Sequence, residues 1–108
     1  MHDVSTPILH FLNIMNIQHK DGDNKGSFFI EEKGETKAEI TYSKAGDTSI
    51  IIDHTEVSDE MRGKNIGKAL VEHAISFARE NELSVIPLCP FAKSVIERDE
   101  SLQDVLKK

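Results

Sequence analysis

One cysteine, Cys89, stands in the whole sequence. No disulfide can form within the chain, and a lone thiol fits a reducing compartment. CxxC and HExxH are both absent and the five histidines are scattered, so no metal site is expected. Apolar runs never exceed a few residues, against the roughly 20 that a membrane-spanning helix needs. The opening residues, MHDVSTPILHFLNIMNIQ, lack a basic start followed by a continuous apolar segment; a secretory leader is not expected, and a cytoplasmic location is. Positive charge is also scarce. Thirteen Lys and Arg face 19 Asp and Glu, for a net charge of -6, which argues against general nucleic-acid binding.

What remains is the composition of an ordinary soluble domain, 30% charged and 38% hydrophobic over 108 residues. That length supports one core and not two. Residues 16–108 read as a single domain and residues 1–15 as an N-terminal extension.

The organising stretch is SIIIDHTEVSDEMRGKNIGKALVEHAISF, residues 49–77. Ile50, Ile51 and Ile52 open a strand that continues through Thr55 to Val57. After a polar break, Arg62-Gly63-Lys64-Asn65-Ile66-Gly67-Lys68 forms a basic turn that leads into a helix. The first N–H groups of a helix have no partner inside it and point at whatever sits over its end, which makes such a turn an anion site. Gly63 and Gly67 would let a phosphate approach the backbone, and Asn65 tolerates a left-handed conformation. Three cations in seven residues of an acidic chain indicate one local anchor rather than a basic surface.

Before this stretch, strands are expected at 16–19, 27–32, 36–44 and 48–57, joined by turns at Lys20–Gly26, Lys33–Glu35 and Ala45–Asp47. In the third of these strands Ala38, Ile40 and Tyr42 share one face. In the fourth, simple alternation sends Ile50, Ile52, His54 and Glu56 one way and Ile51, Asp53, Thr55 and Val57 the other, with the sheet buried on both faces near Ile50–Ile52. The helix spans 65–80, with Ile66, Ala69, Leu70, Ala74, Phe77 and Ala78 at helical spacing. A short strand over 83–88 then runs parallel to the fourth, the helix serving as right-handed crossover. Pro87 must end that ladder. A second helix over 92–98 and a turn over 101–106 close the chain. The fold class is thus α/β (α+β): a mixed, mostly antiparallel sheet, one main crossover helix, a short C-terminal helix, and a parallel strand pair whose two exits flank a cleft. Unpaired backbone groups in that gap could hold an extended ligand as an added strand.

The segments IIIDHTEV, Arg62–Gly67 and PLCPFAKSVIE resemble the GCN5-related N-acetyltransferases, whose signature is Gln/Arg-x-x-Gly-x-Gly/Ala. Arg62 matches its first position and Gly67 its last; Asn65 stands where the middle glycine usually is. More narrowly the chain resembles the very small, cysteine-containing members of that superfamily, the YjdJ-like or NATD1-like domains. The resemblance implies that acetyl-coenzyme A binds, with its pyrophosphate on the N–H groups of Arg62, Gly63, Lys64, Asn65, Ile66, Gly67 and Lys68. Its pantetheine arm would lie along Thr55, Glu56 and Val57, and Cys89 would lie near the thioester. Larger relatives commonly use a tyrosine near the thiol as general acid, and here Tyr42 sits in an earlier strand. Cys89 is therefore the candidate catalytic residue: it could carry the acetyl group, protonate the departing sulfur, or fill space. His54, whose strand ends near the same mouth, is a candidate base or thiol partner.

The expected function is transfer of acetyl from acetyl-coenzyme A to a small-molecule amine or a protein amine, with no nucleic-acid or membrane partner, from a monomer or weak homodimer. The alternatives are a non-catalytic coenzyme A or acyl-coenzyme A module and a generic interaction domain.

Overall fold

A computed structural model of the chain describes residues 16–63 and 65–107. The expectations for residues 1–15 and for Lys64 lie outside the described residues. Five strands form one sheet in sequential order: β1 (Gln18–Asp21), β2 (Lys25–Glu32), β3 (Glu35–Ala45), β4 (Ser49–Val57) and β5 (Ser84–Pro87). The first three pairings are antiparallel and β4–β5 is parallel. Between β4 and β5 runs the crossover helix α1 (Ile66–Glu80), and after β5 comes the short helix α2 (Pro90–Glu97). Turns of 3₁₀ helix occupy Asp59–Met61 and Glu100–Val105. This is the expected mixed, mostly antiparallel sheet with one main crossover helix. Among the described residues no helix is long and apolar enough to cross a membrane.

Three boundaries move for identifiable reasons. β1 lies two residues later than expected because its ladder follows backbone pairing into the polar stretch, ending at Asp21 opposite Gly26. β5 loses Leu83, whose N–H instead closes α1 by donating to the Ala78 carbonyl at 2.8 Å; Glu82 takes the left-handed conformation, φ 55°, that a glycine usually supplies there. α2 starts at Pro90 rather than Ala92, since proline at the first helical position gives up an N–H that has no partner anyway.

The core forms on the face of Ala38, Ile40, Tyr42, Ile50 and Ile52, covered by Leu70, Val71, Ala74, Ile75 and Ala78 of α1 and by Ala92 and Ile96 of α2. Each buried branched or aromatic side chain contributes roughly 1.5–3 kcal/mol. Ile51, on the reverse face, is only partly buried and lies outside this cluster, so the sheet is not buried on both faces as its triple isoleucine suggested.

A β-bulge corrects the strand alternation. Thr41 pairs with His54 and Tyr42 with Ile52, leaving Asp53 as one extra residue in β4. The extra residue reverses the parity of everything after it. Thr55 and Val57, opposite buried Ile40 and Ala38, join the face of Ile50 and Ile52, while His54 and Glu56 turn to the reverse face.

The far edge of the sheet is fastened by aromatic packing. His19 stacks on Phe28 at 4.2 Å and meets Phe77 edge-on at 4.8 Å. Tyr42 donates its hydroxyl proton to Asp21 Oδ1 at 2.7 Å, so His19 Nε2, also at 2.7 Å, is the donor to Tyr42 Oη. The Tyr42 hydroxyl holds the Asp21 carboxyl below its ordinary range, with Lys44 adding to the effect. A carboxyl lowered by folding stabilises the fold above its unfolded pKa and loses that stabilisation as pH falls through the folded value. Asp21→Asn is expected to melt a few degrees lower at neutral pH and to show a flatter loss of Tm on acidification. Thermal melts of both proteins across the acid limb test this; parallel pH profiles would refute it.

Candidate functional site

The β4–β5 ladder stops at Ile52 opposite Pro87. There the Ile52 carbonyl accepts from both Leu88 and Cys89 N–H groups at 3.1 Å each. Beyond that point the two strands part, and the β5-facing edge of Thr55–Val57 has no strand partner among the described residues. The 3₁₀ turn follows, with Met61 buried beneath it. Arg62 then folds back: its Nε donates to the Val57 carbonyl at 3.3 Å and its guanidinium lies 3.2 Å from Asp59. At this exposure such a pair contributes little to stability; its use is to fix where the turn begins.

The turn itself is left-handed at Gly63, φ 83°, and at Asn65, φ 58°. Asn65 is the N-cap residue of α1, yet its side chain makes no capping hydrogen bond. The leading N–H groups of α1 are thus left available to an anion, with the positive end of the helix behind them. They open on a cavity of about 640 Å³ lined by Thr55, Val57, Met61, Arg62, Gly63, Asn65, Ile66, Gly67 and Lys68 on one side. Phe91, Val95, Arg98 and Asp99 line it on the other. The volume is typical of a cofactor site.

Of the expected cofactor residues, Thr55, Val57, Arg62, Gly63, Asn65, Ile66, Gly67 and Lys68 come together on this wall. Glu56 does not: the bulge turns it to the reverse face, where it lines a separate polar hollow with Glu39, Ser58 and Asp59. Met61 and the α2 residues were missed. Their signal was the spacing of Phe91, Val95 and Arg98, which places them along one helical stripe. Phe91 also changes the meaning of Gly67. A Cβ added at Gly67 would lie 2.7 Å from the Phe91 ring, so this glycine makes room for an aromatic side chain as well as for any ligand.

Cys89 is the N-cap residue of α2 and is 5% exposed. Its thiol donates to Thr55 Oγ1 at 3.3 Å. It does not itself line the cavity; Thr55 does. His54 is on the opposite side of the sheet, 3.2 Å from Glu56 and largely exposed, so the thiol's partner is Thr55 and not His54. Tyr42 is buried in the distant aromatic cluster, where burial and then the Asp21 carboxylate hold its proton well above the ordinary tyrosine range. It is not placed to serve as acid in this cavity.

A family model described as GCN5-related N-acetyl-transferase matches residues 27–105. The chain belongs to the GCN5-related N-acetyltransferases. The solution structure of a GCN5-like protein from Staphylococcus aureus is 43% identical, with a TM-score of 0.66 over 85% of this chain and 89% of that one. A ribosomal-protein-alanine N-acetyltransferase from Brucella melitensis shares the fold at 19% identity and a TM-score of 0.57, over 71% of this chain and 62% of that one. So does an aminoglycoside acetyltransferase from a soil metagenomic sample, at 16% identity and a TM-score of 0.54, over 82% and 63%. No curated protein matches the chain. Membership of the GCN5-related N-acetyltransferases implies a cleft for coenzyme A and the acyl group it carries. The uncapped first turn of α1 and the open β4 edge fit that cofactor's pyrophosphate and its amide-bearing arm.

Proposed function

We propose that the protein is an acetyl-coenzyme A-dependent N-acetyltransferase of the small, cysteine-containing kind, acting in the cytoplasm on an exposed cationic amine such as a polyamine or a protein lysine. The observation that carries this reading is the cavity that runs from the uncapped turn of α1 to Thr55, whose hydroxyl is hydrogen-bonded to Cys89. N–H groups from Arg62 to Lys68 would hold the pyrophosphate, and the open edge of Thr55–Val57 would pair with the pantetheine arm. When bound, acetyl-coenzyme A supplies an activated acyl group and a thiol leaving group.

The chain's own contribution is a proton. A threonine hydroxyl has one hydrogen to give and lone pairs to receive. Because the Cys89 thiol donates into Thr55 Oγ1, the Thr55 hydrogen is free to be directed into the cavity. Thr55 would give that proton at the acyl end of the cleft, and Cys89 would replace it and recover its own from solvent after the amine has shed a proton. This makes Cys89 a proton source behind Thr55 rather than an acyl carrier. The acidic chain, at net charge -6, would draw a cationic acceptor toward the site.

Release of coenzyme A thiol, measured with and without spermidine or a lysine peptide, tests the reading. Amine-dependent release is expected from the wild type, reduced about 100-fold in Cys89→Ala and in Thr55→Val, with coenzyme A affinity changed little. Coenzyme A binding without amine-dependent release would instead favour a non-catalytic binding module. A stable acetyl adduct on Cys89, read by intact mass, would overturn the proton role in favour of a covalent route.

A further inference from the structure

Coenzyme A carries phosphate at two separated places, the pyrophosphate and a monoester on the ribose. The turn at the start of α1 accounts for only one of them. The opposite wall of the cavity is the stripe Phe91, Val95 and Arg98 of α2, apolar for most of its length and cationic at its end. Eight helical residues span about 12 Å, so the Cys89 end and the Arg98 end of this wall are well separated. The cavity therefore has a basic residue on this wall as well as on the facing turn.

The three arginines of the chain are not equivalent. Arg62 is tied to Asp59 and the Val57 carbonyl, and Arg79 to Asp104 and the Ser101 carbonyl. Arg98 has no side-chain hydrogen bond or ion pair among the described residues, and it faces the cavity. The neighbouring carboxylate does not neutralise it: Asp99 Oδ1 accepts from Ser101 N–H at 3.0 Å and from Ser101 Oγ at 2.6 Å. Lys68, on the facing wall, adds to the positive field there.

We propose that Arg98 reads the 3′-phosphate of coenzyme A and makes the site selective for the full cofactor over its 3′-dephospho form. The inference rests on the coenzyme A reading of the cavity. An exposed guanidinium on the cavity wall suits a phosphate monoester, which it can grip with two parallel N–H groups. A residue that merely complements the C-terminal end of α2 would affect both ligands alike.

Calorimetric titration of coenzyme A and 3′-dephospho-coenzyme A against wild type, Arg98→Gln and Arg98→Lys separates these cases. Wild type is expected to prefer coenzyme A about tenfold. Arg98→Gln should lose that factor for coenzyme A alone, bringing the ratio near one, and Arg98→Lys should restore part of it. An equal ratio in wild type and Arg98→Gln would overturn the proposal while leaving the cofactor site standing. Failure of wild type to bind either ligand would overturn the cofactor site itself, and this proposal with it.

Discussion

Gly67→Glu is expected to abolish coenzyme A binding, raising Kd by at least about 100-fold, or roughly 3 kcal/mol, without unfolding the domain. Two effects add. Gly67 lies in the first turn of α1, where N–H groups and the positive end of the helix favour an anion, so a carboxylate there repels the pyrophosphate. Steric conflict adds to this, since the first side-chain carbon already comes within 2.7 Å of Phe91 Cζ. That contact is with the tip of a ring that is 45% exposed, so Phe91 can swing outward and the fold can survive, but it swings into the cavity or its rim. Gly67→Ala has the steric part without the charge and should weaken binding much less. Titration together with a thermal melt decides the matter: a folded Gly67→Glu protein that binds within a few-fold of wild type would remove the phosphate site from this turn.

The second large effect is on stability and arises at the far edge of the sheet. Valine favours strands by up to ~1 kcal/mol over poorer formers, so Gly26→Val would stabilise an ordinary strand position. Here the sign reverses. A Cβ at Gly26 would lie 2.4 Å from both Cζ and Oη of Tyr42 and 2.7 Å from the Lys20 carbonyl. The tyrosine crosses over this glycine to reach Asp21 and His19, and the carbonyl belongs to paired backbone. Neither can yield without breaking the hydrogen bonds that fasten β1. A loss of about 3 kcal/mol or more is expected, a large share of the ~5–15 kcal/mol that holds a small domain folded. Denaturant unfolding measures it directly, and a midpoint at or above that of wild type would show that Tyr42 does not need this space.

Much of the architecture could be read from local pattern. Alternation in Ala38, Ile40 and Tyr42 marks the core face of β3, helical spacing marks α1, and Pro87 marks the end of the parallel ladder. These features depend on residues near one another in sequence. The basic wall of the cavity was legible for the same reason, because turn and helix start are contiguous in sequence from Arg62 to Lys68. What escaped depended on pairing between distant segments. Asp53 is an ordinary strand residue until the register with Thr41 and Tyr42 makes it the extra one. His19 becomes an anchor only when Phe28, Tyr42 and Phe77 surround it. The Thr55–Cys89 hydrogen bond joins residues 34 apart, and nothing in either neighbourhood announces the other. Periodicity also misled at Ile51, since three consecutive isoleucines do not reveal that only one face of the sheet carries the core cluster.

The extra residue in β4 gives this site an arithmetic character. Which side chains look into the cavity is decided by how many residues lie between Ile52 and Val57, and only secondarily by what they are. Thr55 and Val57 face inward because the number of residues between Ile52 and Val57 is even, where a regular ladder would need an odd number to keep both on one face. Chain length, and not only composition, therefore helps decide what the cavity presents. Two sequences with the same letters around HTEV but a different count before it would present opposite faces to the cavity.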